Sequence, residues 1–157
     1  MEKIILEILK KIEINKEYIK LCQEYYNIDG QVNLKRKEVE PIIHSYDRDF
    51  KYIAKDKTFV KETTFKEYTV RFFIGFKSGI VGLGYLIWKE GENHNYYKGN
   101  LLSLSKQIDA EFEHKVKYNS PIATSVEDFE KILSKIFELF EEFLKLFRAK
   151  FGNQFNR

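Results

Sequence analysis

The residues in this 157-residue chain whose types could do chemistry are three histidines, one cysteine and the acids and bases beside them. His94 with Lys98 or Tyr96, and His44 beside Asp47 and Arg48, could each supply an acid–base pair of the ribonuclease kind. The simpler expectation is that all of these are polar loop residues. No two histidines have helical ligand spacing and Cys22 stands alone, so zinc would need ligands gathered from distant segments. Glu113-His114-Lys115 has the form of half a nuclease metal site, but Asp109 lies too near to complete it. Gly82-x-Gly84 lacks the third glycine and the helix start of a dinucleotide fingerprint, and no GxxxxGK[ST] loop exists. The glycines are expected to mark bulges or close backbone approach. No motif specifies a reaction. The expectation is no metal, no cofactor and no enzyme activity, with a small nuclease kept as an alternative.

Residue types suited to recognition are more plentiful. Segment 50–77 mixes aromatics with bases (Phe50, Lys51, Tyr52, Lys55, Lys57, Phe59, Lys61, Phe65, Lys66, Tyr68, Arg71, Phe72, Phe73). Sheets that bind single-stranded nucleic acid stack bases on such rings. The competing expectation is that a core needs most of these aromatics. Residues 51–100 hold nine Lys/Arg against five Asp/Glu, while the whole chain carries only +3. That footprint is weaker than a specific nucleic-acid binder usually shows. Around the polar stretch 93–100, adjacent tyrosines offer large contact area at low entropic cost. Glu90, Glu92, His94, Tyr96, Tyr97 and Lys98 are therefore the candidate partner-binding residues. The competing expectation there is a solvated loop with one tyrosine tucked inward.

The elements that must position these residues follow from periodicity. Ile4, Ile5, Ile8, Leu9 and Ile12 predict an opening helix, and Asn15 could cap a second one carrying Ile19, Cys22 and Tyr26, unless the two are one helix with a frayed middle. Asp29-Gly30 predicts a turn, and Lys35 to Tyr46 a short helix interrupted by Pro41. Alternation from Tyr68 to Phe76, the turn Lys77-Ser78-Gly79 and a return over Ile80 to Lys89 predict a hairpin. Strands near Lys57–Glu62 and Tyr96–Tyr97 should extend the sheet, with a loop at Glu90-Gly91-Glu92-Asn93. Leu101 to Ala110 reads as a helix, and Phe112 to Tyr118 as a short strand.

From Ser125 to Phe151 the chain predicts one long helix, opened by a capping-box pattern at Ser125 to Asp128 and stopped by Gly152. Acids crowd its start and bases its end, as the helix dipole favours. Its apolar residues cover about half the cylinder, wider than the usual stripe of a surface helix. Phe129, Leu133, Ile136, Phe140, Phe143, Phe147 and Phe151 make one seam; Ile132, Leu139 and Leu146 make another, with Phe137 and Leu144 flanking. Two seams ask for two neighbours, most simply the sheet and the N-terminal helices, or else a second copy of the chain in a homodimer. Charges from Glu138 to Lys150 exclude a membrane span.

The fold class is α+β: N-terminal helices, a central antiparallel sheet, and a long C-terminal amphipathic helix packed on that sheet, as one domain over residues 1–157. A lone cysteine and no visible signal peptide suit the cytoplasm, and the Lys, Ile and Asn usage suits an AT-rich bacterial or phage genome. The aromatic-rich α+β composition, the Tyr-bearing loop and the lack of a catalytic set resemble small bacterial and phage immunity or antitoxin-type proteins. The likeness is one of type and carries over no residue. It implies a module that binds a protein partner, a toxin or other enzyme, and inhibits it by occluding its active site.

Overall fold

The computed structural model describes residues 2–91 and 96–152, with the backbone alone at Tyr96 and Gly152. The chain opens with helices α1 (Glu2–Lys11) and α2 (Ile14–Glu24). They are two helices because Glu13 takes a left-handed conformation, φ 53°, which no helix continues through. Asn15 is therefore inside α2 and does not cap it; Glu13 holds the capping position, without a side-chain hydrogen bond. The break lets Ile5, Ile8 and Leu9 of α1 and Tyr18, Ile19, Leu21 and Cys22 of α2 all be buried.

Helix α3 (Arg36–Tyr46) begins where the Glu38 carboxylate accepts the Lys35 N–H at 2.9 Å, and it carries Pro41 inside it. Burial of Val39 and Ile43 on one face holds the helix together despite the hydrogen bond that proline removes. His44 Nε2 lies 2.8 Å from the Phe50 carbonyl and its ring meets Phe59 edge-on. This histidine fastens α3 to the sheet.

The sheet is an antiparallel meander in the order β1 (Lys51–Ile53), β2 (Thr58–Phe65), β3 (Tyr68–Gly75), β4 (Gly82–Lys89), β5 (Tyr96–Asn100). The expected hairpin is β3–β4, with Gly75 opposite Gly82. Its turn requires glycine at Gly79: φ is +75°, and a Cβ there would stand 2.7 Å from the Ala123 carbonyl oxygen. Ala123 N–H donates to that same glycine's carbonyl at 2.8 Å, so the turn is stitched to segment 121–123. Strand β1 lies outside the expected set, since three residues are too few to show a period.

Phe112 to Tyr118 is not a strand. Helix α4 (Leu101–Ile108) ends at Asp109, and Phe112–Lys115 forms one short helical turn, α5. The Asp109 carboxylate accepts the Glu111 N–H at 3.0 Å and the Lys115 ammonium at 2.6 Å, while its carbonyl accepts the Phe112 N–H at 3.1 Å. A local Asp cap thus overrides an apolar alternation whose only fully buried member is Phe112.

Helix α6 (Val126–Gly152) lies across one face of the sheet. Ser125 Oγ accepts the Asp128 N–H at 3.0 Å, but the Asp128 carboxylate turns back to the N–H and hydroxyl of Thr124 instead of closing the box on Ser125. Phe140 stacks on Phe72 at 4.0 Å, Phe147 and Phe151 close on Tyr68 at 5.8 and 4.6 Å, and Phe129 meets Phe76 at 6.4 Å. On its flank Phe137 stacks on Tyr46 of α3 at 4.5 Å and meets Phe50 edge-on. Lys135 reaches Glu17 of α2 at 3.2 Å, and Leu146 lines a shallow groove with Ile4 and Ile8 of α1. The wide apolar arc is therefore covered from within the chain, leaving only Leu144 and Leu146 half-buried. No helix among the described residues is long and apolar enough to cross a membrane.

Candidate functional site

Strand alternation sorts the sheet residues into two layers. Val70, Phe72 and Ile74 of β3 and Leu83, Tyr85 and Ile87 of β4 are buried towards α6. The intervening residues form the opposite face: Ile53, Val60, Glu62, Arg71, Phe73, Leu86 and Trp88. Its apolar members take no part in the buried core cluster, and every ring that α6 presents to the sheet meets the inner layer. Helices thus occupy one face, and an apolar second face is turned outward.

At the centre of that outer face stands Arg71. It pairs with Glu62 on β2, with Nε 2.6 Å from Glu62 Oε1 and a second bond from the guanidinium to the same oxygen. Its guanidinium lies 5.2 Å from the Trp88 ring centroid and 6.0 Å from that of Phe73. The register explains the cluster: Glu62 faces Arg71, which faces Leu86, while Val60 faces Phe73, which faces Gly84. Gly84 leaves a hollow beside the Phe73 ring, 3.8 Å from where a Cβ would stand. One concavity of about 500 Å³ lies over β1–β3, rimmed by Asp49 and Asp56. Another of about 570 Å³ lies towards β5, reaching Lys98 and Asn100, and the two meet at Phe73. Lys51, Arg71 and Lys98 face Asp49, Asp56 and Glu62 across this surface, so it carries both signs of charge.

The candidate residues chosen from sequence separate. Glu92 and His94 lie outside the described residues, and Tyr96 is described only by its backbone, which pairs opposite Trp88. Glu90 is exposed, its N–H donating to the Glu67 carbonyl at 2.6 Å. Lys98 is exposed and opposite Leu86 in register, which joins it to the outer face. Tyr97 is the tyrosine that tucks inward. Its ring stacks on Tyr85 at 5.6 Å against the core, and burial raises its phenol above the usual range. Gly99 makes room for this layer, because a Cβ there would stand 2.5 Å from the Tyr85 hydroxyl.

The residues proposed for chemistry are held in structural roles or apart. His44 is committed to Phe50, and His114 is exposed beside Glu111, at 3.9 Å, and Glu113. Cys22 is buried, and burial pushes its thiol up to about 12. No group of three or more potential metal ligands occurs among the described residues. Of the aromatics in segment 50–77, Phe50, Phe59, Tyr68, Phe72 and Phe76 are core residues, Tyr52 and Phe65 pack half-buried against that core, and Phe73 is the ring on the outer face. Sequence reasoning passed over Trp88, Leu86 and Val60; it is the observed register, with Gly75 opposite Gly82, that puts Phe73, Leu86 and Trp88 on one face.

No family model, curated protein or solved structure matches this chain.

Proposed function

We infer that this protein is a protein-binding module whose outer sheet face, continued by the β4–β5 hairpin, receives a folded protein partner. The observation that carries this reading is the Trp88–Arg71–Phe73 cluster on a sheet face that no described helix covers. Trp, Tyr and Arg are the residue types that dominate binding energy at protein interfaces, and an apolar centre with a charged rim is the usual interface anatomy. Arg71 is already held by Glu62, so less rotamer entropy is lost when it is covered.

Size supports using both surfaces. Five strands spaced about 4.8 Å apart, crossed by strands of eight residues, give a face of about 500 Å². A standard interface covers about 800 Å² on each partner. The face is therefore the centre of the contact, and the neighbouring hairpin, with Glu90 and Lys98, completes it. The mixed charges suit a protein surface better than a phosphate backbone, which places nucleic acid second. A resemblance in type to immunity and antitoxin proteins extends the reading: the partner is an enzyme, inhibited by occlusion of its active site.

Capture from the native host by the tagged chain, repeated with Trp88→Ala and with a hairpin variant combining Glu90→Ala and Lys98→Ala, tests the surface. The partner should be lost with Trp88→Ala and reduced with the hairpin variant. Titrating the chain into the purified partner should then lower its catalytic rate. A partner captured equally by all three chains would show that this surface is the wrong one.

A further inference from the structure

The register of the strands gives the outer apolar residues a definite shape. In rows across the sheet, Ile53 stands with Thr58, Gly75 and Gly82; Val60 with Phe73 and Gly84; Leu86 with Glu62 and Arg71; and Trp88 with Thr64 and Thr69. The apolar side chains therefore do not fill the face. They run as one diagonal stripe, Ile53–Val60–Phe73–Leu86–Trp88, from β1 to β4. Thr64 and Thr69 hold the corner on one side of it, Gly75 and Gly82 the corner on the other. Ile53 is exposed, and the other four are half-buried. We propose, resting on the reading of this face as a protein-binding surface, that the stripe receives one amphipathic helix of the partner, with a basic flank towards Asp49 and Asp56.

The dimensions favour a helix. From Ile53 to Trp88 the stripe crosses three strand spacings of about 4.8 Å and a rise of six residues at about 3.3 Å each, so it is about 25 Å long. At 1.5 Å per residue, a helix of about sixteen residues covers it with a single apolar face. A partner sheet would instead spread its contacts over every row, corners included. The concavity over β1–β3 and the one towards β5 both lie along the stripe and join at Phe73, so its course is hollowed. Arg71, held by Glu62 through two bonds, fills the step between the Phe73 and Trp88 rings and adds little net charge. Charge remains on the β1 side. There Asp49, Asp56 and Lys51 rim the concavity, and among the described residues no ion pair neutralises any of them. Two carboxylates against one ammonium leave an excess of negative charge, which a basic helix flank complements.

The test is photo-cross-linking of the captured partner. A benzophenone side chain takes the place of Ile53, Phe73 or Trp88 in the full chain, and the labelled partner residues are mapped by mass spectrometry. On the register, Ile53 lies about 12 Å from Phe73, and Phe73 about 14 Å from Trp88. The three sites should therefore label one partner segment in that order, about eight to ten residues apart. Asp49→Lys combined with Asp56→Lys, both at exposed positions, should weaken the partner at least fivefold at low salt, with an unchanged melting temperature. Labels about four residues apart mark a strand, and labels on separate segments mark a composite surface; either overturns the docked helix. An affinity that the two lysine substitutions leave unchanged or raise overturns its basic flank. Capture of no protein, or of one that none of the three sites labels, overturns the reading of the outer face itself and this inference with it.

Discussion

Phe72 and Phe73 are adjacent and chemically identical, yet their surroundings assign them opposite roles. Phe72 is buried against Phe140, so Phe72→Ala should cost about 3–5 kcal/mol in a denaturant titration. Phe73 lies half-buried beside Arg71, so Phe73→Ala should cost less than about 1.5 kcal/mol while weakening partner binding. Asp47 gives a pH signature. Burial works against its charge, but the Lys61 ammonium and the Asp49 N–H outweigh this and hold its carboxyl below the ordinary value. A carboxylate depressed in the folded state adds stability above its unfolded value, about 3.9, and that stability is lost as pH falls through the folded value. Lys61→Met should therefore lower the melting temperature at pH 7 and flatten its fall between pH 5 and 3. Cys22, buried with its thiol pushed up to about 12, should react with iodoacetamide only as fast as the chain opens.

At the level of elements, α6 organises the rest, and its sequence already showed why. An apolar arc too wide for one neighbour predicted two, and the helix has the sheet on one side with α1 and α3 along its flanks. The β3–β4 hairpin was equally legible, because its alternation runs for eight residues on each strand. Two readings failed for local reasons. Phe112 to Tyr118 alternates as a strand should, but Asp109 supplies a cap within reach of three partners. Asn15 looked like a cap, but the chain turns two residues earlier, at the left-handed Glu13. Glu13→Gly should accordingly be neutral or slightly stabilising, whereas glycine inside a helix costs about 1 kcal/mol. Gly79→Ala should cost about 2 kcal/mol or more, since the added methyl meets the Ala123 carbonyl and the backbone sits at φ +75°. The outer face was the least legible feature. Both faces of β3 and β4 carry apolar residues, so alternation alone separates two layers without saying which one α6 will cover.

On the scale of the whole molecule, helices packed on a single face leave a five-stranded sheet with an outward surface of its own. That surface joins strands far apart in sequence, from Ile53 to Lys98, and no local motif could announce it. The proposed recognition uses one face of the sheet while the core lies on the other, so loss of binding and loss of stability should be separable. The most direct measurement is the affinity of the captured partner for the wild-type chain and for Phe73→Ala combined with Trp88→Ala, each with its melting temperature. The expected result is a loss of at least a hundredfold in affinity with melting temperatures within a few degrees. Equal affinity for the two chains, with both folded, would contradict recognition through the outer sheet face.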